Sequence, residues 1–171
     1  MQMLDMRTLS MVNAIGAVTV ALLTTFLWRF VSREWGMRQW VFGSLALAAG
    51  SVLLLLRDAA PDWLSIAGGN GLCVLGVGYM ALAARRFCGL NDGVPWHWLA
   101  AAFCAAGAWF FSAVQSSLIM RVFLFSLWTA FFALRCARTL CGAAPAGKFG
   151  VGQRFTAAVF YVVALIMGLR M

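Results

Sequence analysis

Charge is scarce in this chain, and it is missing where ion chemistry would need it most. Only 11% of the 171 residues are charged, against roughly 25% in soluble domains. All five acids, Asp5, Glu34, Asp58, Asp62 and Asp92, fall outside the long apolar stretches. Proton and ion pathways through membranes usually mark themselves by intramembrane carboxylates or bases, so this distribution argues against an ion-coupled transporter.

Other absences exclude further chemistries. His97 is the only histidine and Lys148 the only lysine. One histidine cannot hold a haem between two histidines of one chain or build a histidine-rich metal centre. Lys148 lies in a polar loop, which leaves no buried lysine for a retinal-type Schiff base. Gly68-Gly69-Asn70-Gly71 follows no strand and brings no lysine, so it is no phosphate loop. The five cysteines, Cys73, Cys88, Cys104, Cys136 and Cys141, are odd in number, and Cys136 and Cys141 stand at neither a redox nor a zinc spacing. No nucleophile, base and orienting acid form a set. The sequence therefore points to no enzyme, no metal and no cofactor.

What the chain has in abundance is apolar surface. Its residues are 64% hydrophobic, its mean hydropathy is +0.91, and apolar runs recur along the whole length instead of standing at one end as a signal peptide would. The expected fold is all-α: one polytopic transmembrane helix bundle over residues 1–171, with six spans near 8–28, 39–56, 63–84, 96–111, 118–134 and 155–169. Its first partner is the lipid bilayer. The net charge of +8 does not signal nucleic acid, because the basic residues sit between the apolar runs and form no basic and aromatic surface.

Those basic residues set the orientation instead. Arg29, Arg33 and Arg38 fall in the first connection, Arg57 in the second, Arg85 and Arg86 in the third, none in the turn at 112–117, and Arg135, Arg138, Lys148 and Arg154 in the fifth. By the positive-inside rule the odd connections are cytoplasmic, and the amino terminus is outside. With six spans the carboxy terminus is also outside.

The third span organises the rest. Gly69, Cys73, Gly76 and Ala83 stand at offsets of four, seven and fourteen and so line one helical face with small residues. In lipid, such a face lets a neighbouring backbone come close. Gly43, Ala46 and Gly50 offer another on the second span. The polar candidates for a ligand pocket or for helix packing are Asn13, Asn70 and Gln115, with helix–helix hydrogen bonding the favoured role for Asn70. Trp109 and Trp128 are the aromatics that could meet an apolar ligand. The other six tryptophans lie near expected interfaces, as belt residues do. His97, between Trp96 and Trp98, reads first as a belt residue and second as a ligand or pH-sensing group.

Three places resemble one family. Leu4-Asp5-Met6-Arg7-Thr8-Leu9, Pro61-Asp62-Trp63-Leu64-Ser65-Ile66 with Asn70, and Arg85-Arg86-Phe87-Cys88-Gly89 are similar to the amino-terminal membrane region of bacterial GGDEF-type diguanylate cyclases. The resemblance implies a sensory input unit in a bacterial cytoplasmic (inner) membrane. It also implies a downstream cytoplasmic output domain that makes cyclic di-GMP, and a homodimer. No GGDEF motif occurs in the chain, so no catalytic residue carries over. An outside carboxy terminus would need a seventh span before such an output. The expectation is six helices of seven, or a free-standing relative. The alternative is a small transporter or permeation protein for an uncharged solute.

Overall fold

The computed structural model describes residues 2–30, 36–90, 95–142 and 150–169. Six helices account for most of them: α1 (Gln2–Phe30), α2 (Met37–Leu55), α3 (Gly69–Phe87), α4 (Trp96–Ala113), α5 (Leu118–Gly142) and α6 (Gly150–Leu169). A 3-10 turn (Leu56–Asp58) follows α2, and a π-helical turn (Trp63–Gly68) leads directly into α3. The loop residues Arg33, Glu34, Asp92, Pro145 and Lys148 lie outside the described residues.

Helix limits follow local chemistry. Proline lacks the amide a helix interior needs, and Pro61 and Pro95 stand just before the third and fourth helical segments. The Pro61 carbonyl accepts from the amides of Leu64 and Ser65, and Pro95 is the N-cap of α4. The expected turn at 112–117 is present, although α4 runs to Ala113, and Ser116 takes a left-handed φ of 39°. Three helices outrun their expected spans by five residues or more. Helix α1 begins at Gln2, α5 continues through Arg135 and Arg138 to Gly142, and α6 begins at Gly150. Arginine is a good helix former, so charge ends the membrane crossing without ending the helix.

Five of the segments are long and apolar enough to cross a membrane: Ser10–Phe30, Met37–Leu55, Trp63–Phe87, Leu118–Gly142 and Gly152–Leu169. Helix α4 is not among them, because Trp96, His97, Trp98, Gly107 and Ser112 dilute its 18 residues. It nevertheless runs antiparallel to the whole third segment. A Cβ on Gly78 would lie 2.5 Å from the His97 Cβ, a Cβ on Gly71 would lie 3.0 Å from the Ala105 Cβ, and the far end of α4 reaches the π-turn.

The bundle is arranged around α3. In the third span's apolar window 67% of residues are buried, against 11% in the first and sixth. Helix α3 packs on α2, α4 and α5, while α1 rests on α2 and α6 on α5. The core joins Val74, Val77, Ala81 and Ala84 of α3 to Ala100 and Cys104 of α4, to Phe132, Cys136 and Leu140 of α5, and to Ala157 of α6. Small side chains dominate it, as expected where helices associate by close contact and not by escape from water.

The broadest interface, α2 with α3, is a track of glycines. Gly36, Gly43 and Gly50 repeat every seven residues, and so do Gly69, Gly76 and Ala83 in the opposite direction. A Cβ added at Gly50 would lie 2.8 Å from the Gly69 carbonyl oxygen, and one at Gly43 would lie 2.8 Å from that of Gly76. One at Gly36, whose φ is +99°, would lie 2.6 Å from that of Ala83. The two backbones touch along three successive levels, which permits dispersion contacts and Cα–H···O contacts. Side-chain hydrogen bonds tie the outer helices: Thr24 and Ser44 hydroxyls meet at 2.7 Å between α1 and α2, and Gln153 Nε2 donates to the Leu140 carbonyl at 2.6 Å between α6 and α5.

Candidate functional site

A shallow, half-open cleft lies where α3 ends and α4 begins, with α5 as its third wall. Helix α3 contributes Gly78, Ala81, Leu82 and Arg85; α4 contributes Trp96 and His97; α5 contributes Phe132 and Arg135. Both arginines are half-buried. Arg85 lies two turns beyond Gly78 and Arg135 one turn beyond Phe132, so apolar residues form the floor and guanidinium groups the rim.

Gly78 shapes the site. Its missing side chain lets the first turn of α4 lie against the α3 backbone, and this brings His97 inward. His97 is 9% exposed, while Trp96 and Trp98 on either side are 49% and 54% exposed. Successive helical residues turn by about 100°, so the two tryptophans face outward as a belt and the histidine does not. The first reading of His97, as a belt residue itself, is corrected on this point. Its ring packs against Tyr79 at 4.9 Å and Trp98 at 6.1 Å. Tyr79 also meets Phe42, over which the Arg38 guanidinium lies at 5.5 Å.

The other polar candidates do not line this cleft. Asn13 is exposed on α1 and reaches Ser51 of α2 at 3.4 Å, a long hydrogen bond. Asn70 donates from Nδ2 to the Ile66 carbonyl at 2.8 Å. With Ser65, which donates to the Pro61 carbonyl at 3.2 Å, it adds a side-chain bond to a backbone oxygen of the π-turn region that already accepts an amide. Gln115 is exposed in the α4–α5 turn, and Trp109 is half exposed on α4. Gly69, Cys73, Gly76 and Ala83 lie against α2 along the glycine track. Among the described residues, no three of His, Cys, Asp and Glu gather as a metal would require.

From sequence, Arg85 and Arg135 carry a topological role, Arg85 also a place in the resemblance, Gly71 enters only as part of a rejected phosphate loop, and Gly78 and Phe132 carry no role. A signal exists for three of these, Gly71, Gly78 and Arg135. Gly71 and Gly78 also stand seven apart, on a second face of α3 that turns towards α4. Phe131, Arg135 and Arg138 have the four and three spacing of one helical face, which places the arginines on a continuing helix and not in a loop.

All five cysteines are free. Cys73, Cys104 and Cys136 are at most 5% exposed, whereas Cys141 is exposed. Cys88, just past α3, has its thiol pushed up by burial, and its Sγ lies 3.7 Å from the Thr139 carbonyl. The thiolate is the reactive form. In detergent-solubilised protein a maleimide should therefore label Cys141 first and Cys88 slowly near neutral pH, with Cys88 gaining as pH rises. The three interior thiols should react only on denaturation. Peptide mass mapping of the labelled protein checks the order.

The helices and their apolar composition define a polytopic membrane protein of the all-α class. Comparisons with protein-family models, with curated proteins and with solved structures find no match for the chain.

Proposed function

We propose that this bundle is a regulatory input domain of a membrane signalling system, and that α3 is its moving part. The observation that carries the reading is the seating of α3. Three neighbours surround it, and it meets two of them through glycine faces that let backbones touch, with only a few long side chains, Leu47, Leu54 and Met80, lodged against the α2–α3 glycines. Small shifts of one helix past another are a common form of switching, and here a shift of α3 against α2 would repack chiefly the flexible Leu47, Leu54 and Met80 side chains. Its ends also differ: a π-turn begins the segment and Arg85-Arg86 close it.

In this reading the paired arginines face the cytoplasm, the amino terminus is outside, and the membrane is the cytoplasmic membrane of a bacterium. A signal would alter the balance between two positions of α3. An output domain of the diguanylate cyclase kind, joined to the bundle or in a partner, would read the change, and a homodimer would bring two such outputs together. The resemblance at Leu4–Leu9, Pro61–Asn70 and Arg85–Gly89 supports that choice of output.

The test replaces the chromosomal copy with Gly76→Ala, whose added methyl would lie 2.7 Å from the Gly43 carbonyl oxygen and must displace α3. Cellular cyclic di-GMP, measured by mass spectrometry, should change relative to wild type at equal protein abundance, and deletion should also change it. Unchanged levels in both strains would remove the cyclase output. Flux of an uncharged solute into liposomes carrying the wild-type protein, above that of empty liposomes, would favour a permeation function in its place.

A further inference from the structure

The basic cleft continues into an apolar seam. On α4, Trp96, Leu99 and Phe103 are 49%, 60% and 60% exposed, at the three and four spacing of a single face. On α5, Leu127 and Phe131 are exposed, and Arg135 follows four residues later. The rings of Phe103 and Trp128 meet at 6.2 Å, and those of Trp128 and Phe131 at 6.0 Å, so the two stripes flank one α4–α5 seam. Starting from the rim, the seam presents Arg85 and Arg135, then the interfacial ring of Trp96, then only hydrocarbon and aromatic surface.

This order of groups matches a phospholipid standing beside the bundle. Guanidinium groups bind phosphate oxygens in pairs of parallel hydrogen bonds, which lysine cannot reproduce. Tryptophan favours the headgroup level, and exposed Leu and Phe suit acyl chains. Two like charges brought to one cleft by packed helices repel each other, and an anion between them relieves that repulsion. Basic pockets between transmembrane helices serve anionic headgroups in this way.

We propose that the α4–α5 seam holds an anionic phospholipid, with its phosphate at the cleft rim beside Arg85 and Arg135 and its chains along Leu99, Phe103 and Phe131. The site stands on this geometry alone and holds whether or not the bundle signals. Arg85 keeps its existing interactions, and the lipid phosphate adds to them. Occupancy would fix the spacing of α3, α4 and α5 at the end where α3 finishes.

Native mass spectrometry of the full chain in detergent tests it, with dioleoylphosphatidylglycerol and dioleoylphosphatidylcholine added in equal amounts. Wild type should retain the anionic lipid about thirtyfold over the zwitterionic one, the scale expected for two cations at a membrane surface. Arg135→Gln should lose most of that preference, and Arg57→Gln, an exposed arginine between α2 and the π-turn, should keep it. Equal retention of the two lipids by wild type would overturn the proposal, and this arm does not depend on any variant folding. So would a folded Arg135→Gln protein with undiminished preference. Inorganic phosphate that displaced the lipid at matched concentration would assign the cleft to a small anion and likewise overturn the lipid reading.

Discussion

Gly76→Leu should cost the bundle at least about 3 kcal/mol, at or above the upper end for overpacking a close-fitted interface. The reason is what surrounds the position. A Cβ there would lie 2.7 Å from the Gly43 carbonyl oxygen and 2.9 Å from the Leu47 backbone nitrogen. Backbone cannot turn aside as a side chain can, so α2 and α3 must separate along their length. Gly43→Leu acts on the same contact from the opposite helix. The double variant should therefore lose less than the sum of the single losses, because the first substitution has already opened the track. Gly16→Leu is the control. Nothing lies within 4 Å of a Cβ at Gly16 on α1, and its stability should stay within about 0.5 kcal/mol of wild type. Denaturant titrations in mixed micelles, followed by circular dichroism, compare all four proteins.

Phe132→Ala should give the second large loss, roughly 2 kcal/mol, and for a different reason. In water, part of the cost of truncating a core phenylalanine comes from transfer of the ring. In a bilayer the unfolded helix keeps its ring in lipid, so most of that part disappears and the packing defect remains. Phe132 is 2% exposed, stacks on Trp128 at 6.3 Å, and closes the floor of the basic cleft. The same titration should show Leu127→Ala, at a position 42% exposed on α5, within about 0.5 kcal/mol of wild type. Similar losses at the two positions would mean that Phe132 faces lipid and that the cleft is not walled by α5.

The helical class and the central place of the third span could be read from residues because both depend on strong local patterns. Apolar runs of membrane length repeat, and Gly69, Cys73, Gly76 and Ala83 follow helical periodicity. What escaped the sequence reading depends on how helices rotate against one another. His97 turns inward only because α4 lies against Gly78, and no local pattern fixes that rotation. Charge at Arg135 ends the apolar run and so marks the start of a loop in the sequence, yet α5 continues for two more turns. The polar candidates Asn13, Asn70 and Gln115 stand out in the sequence only as rare polar groups among apolar residues. Asn70 instead bonds back to the Ile66 carbonyl of its own segment, and Gln115 is exposed in the α4–α5 turn.

The direct contact of α2 and α3 through glycine is the claim on which the moving-helix account depends, and one engineered thiol tests it. A Cβ at Gly50 would lie 2.7 Å from the Sγ of the native Cys73 and 2.8 Å from the Gly69 carbonyl oxygen, so the helices must part slightly, towards the roughly 3 Å that separates a Cβ from the far sulfur of a disulfide. Mild oxidation of Gly50→Cys protein in native membranes should join the new thiol to Cys73 within one chain, read on mass mapping as a disulfide between the peptide carrying the substitution and the peptide carrying Cys73. Gly16→Cys should yield no such link to Cys73. A Gly50→Cys protein that is inserted and folded but forms no link to Cys73, under oxidation that crosslinks a known pair in parallel, would contradict the account.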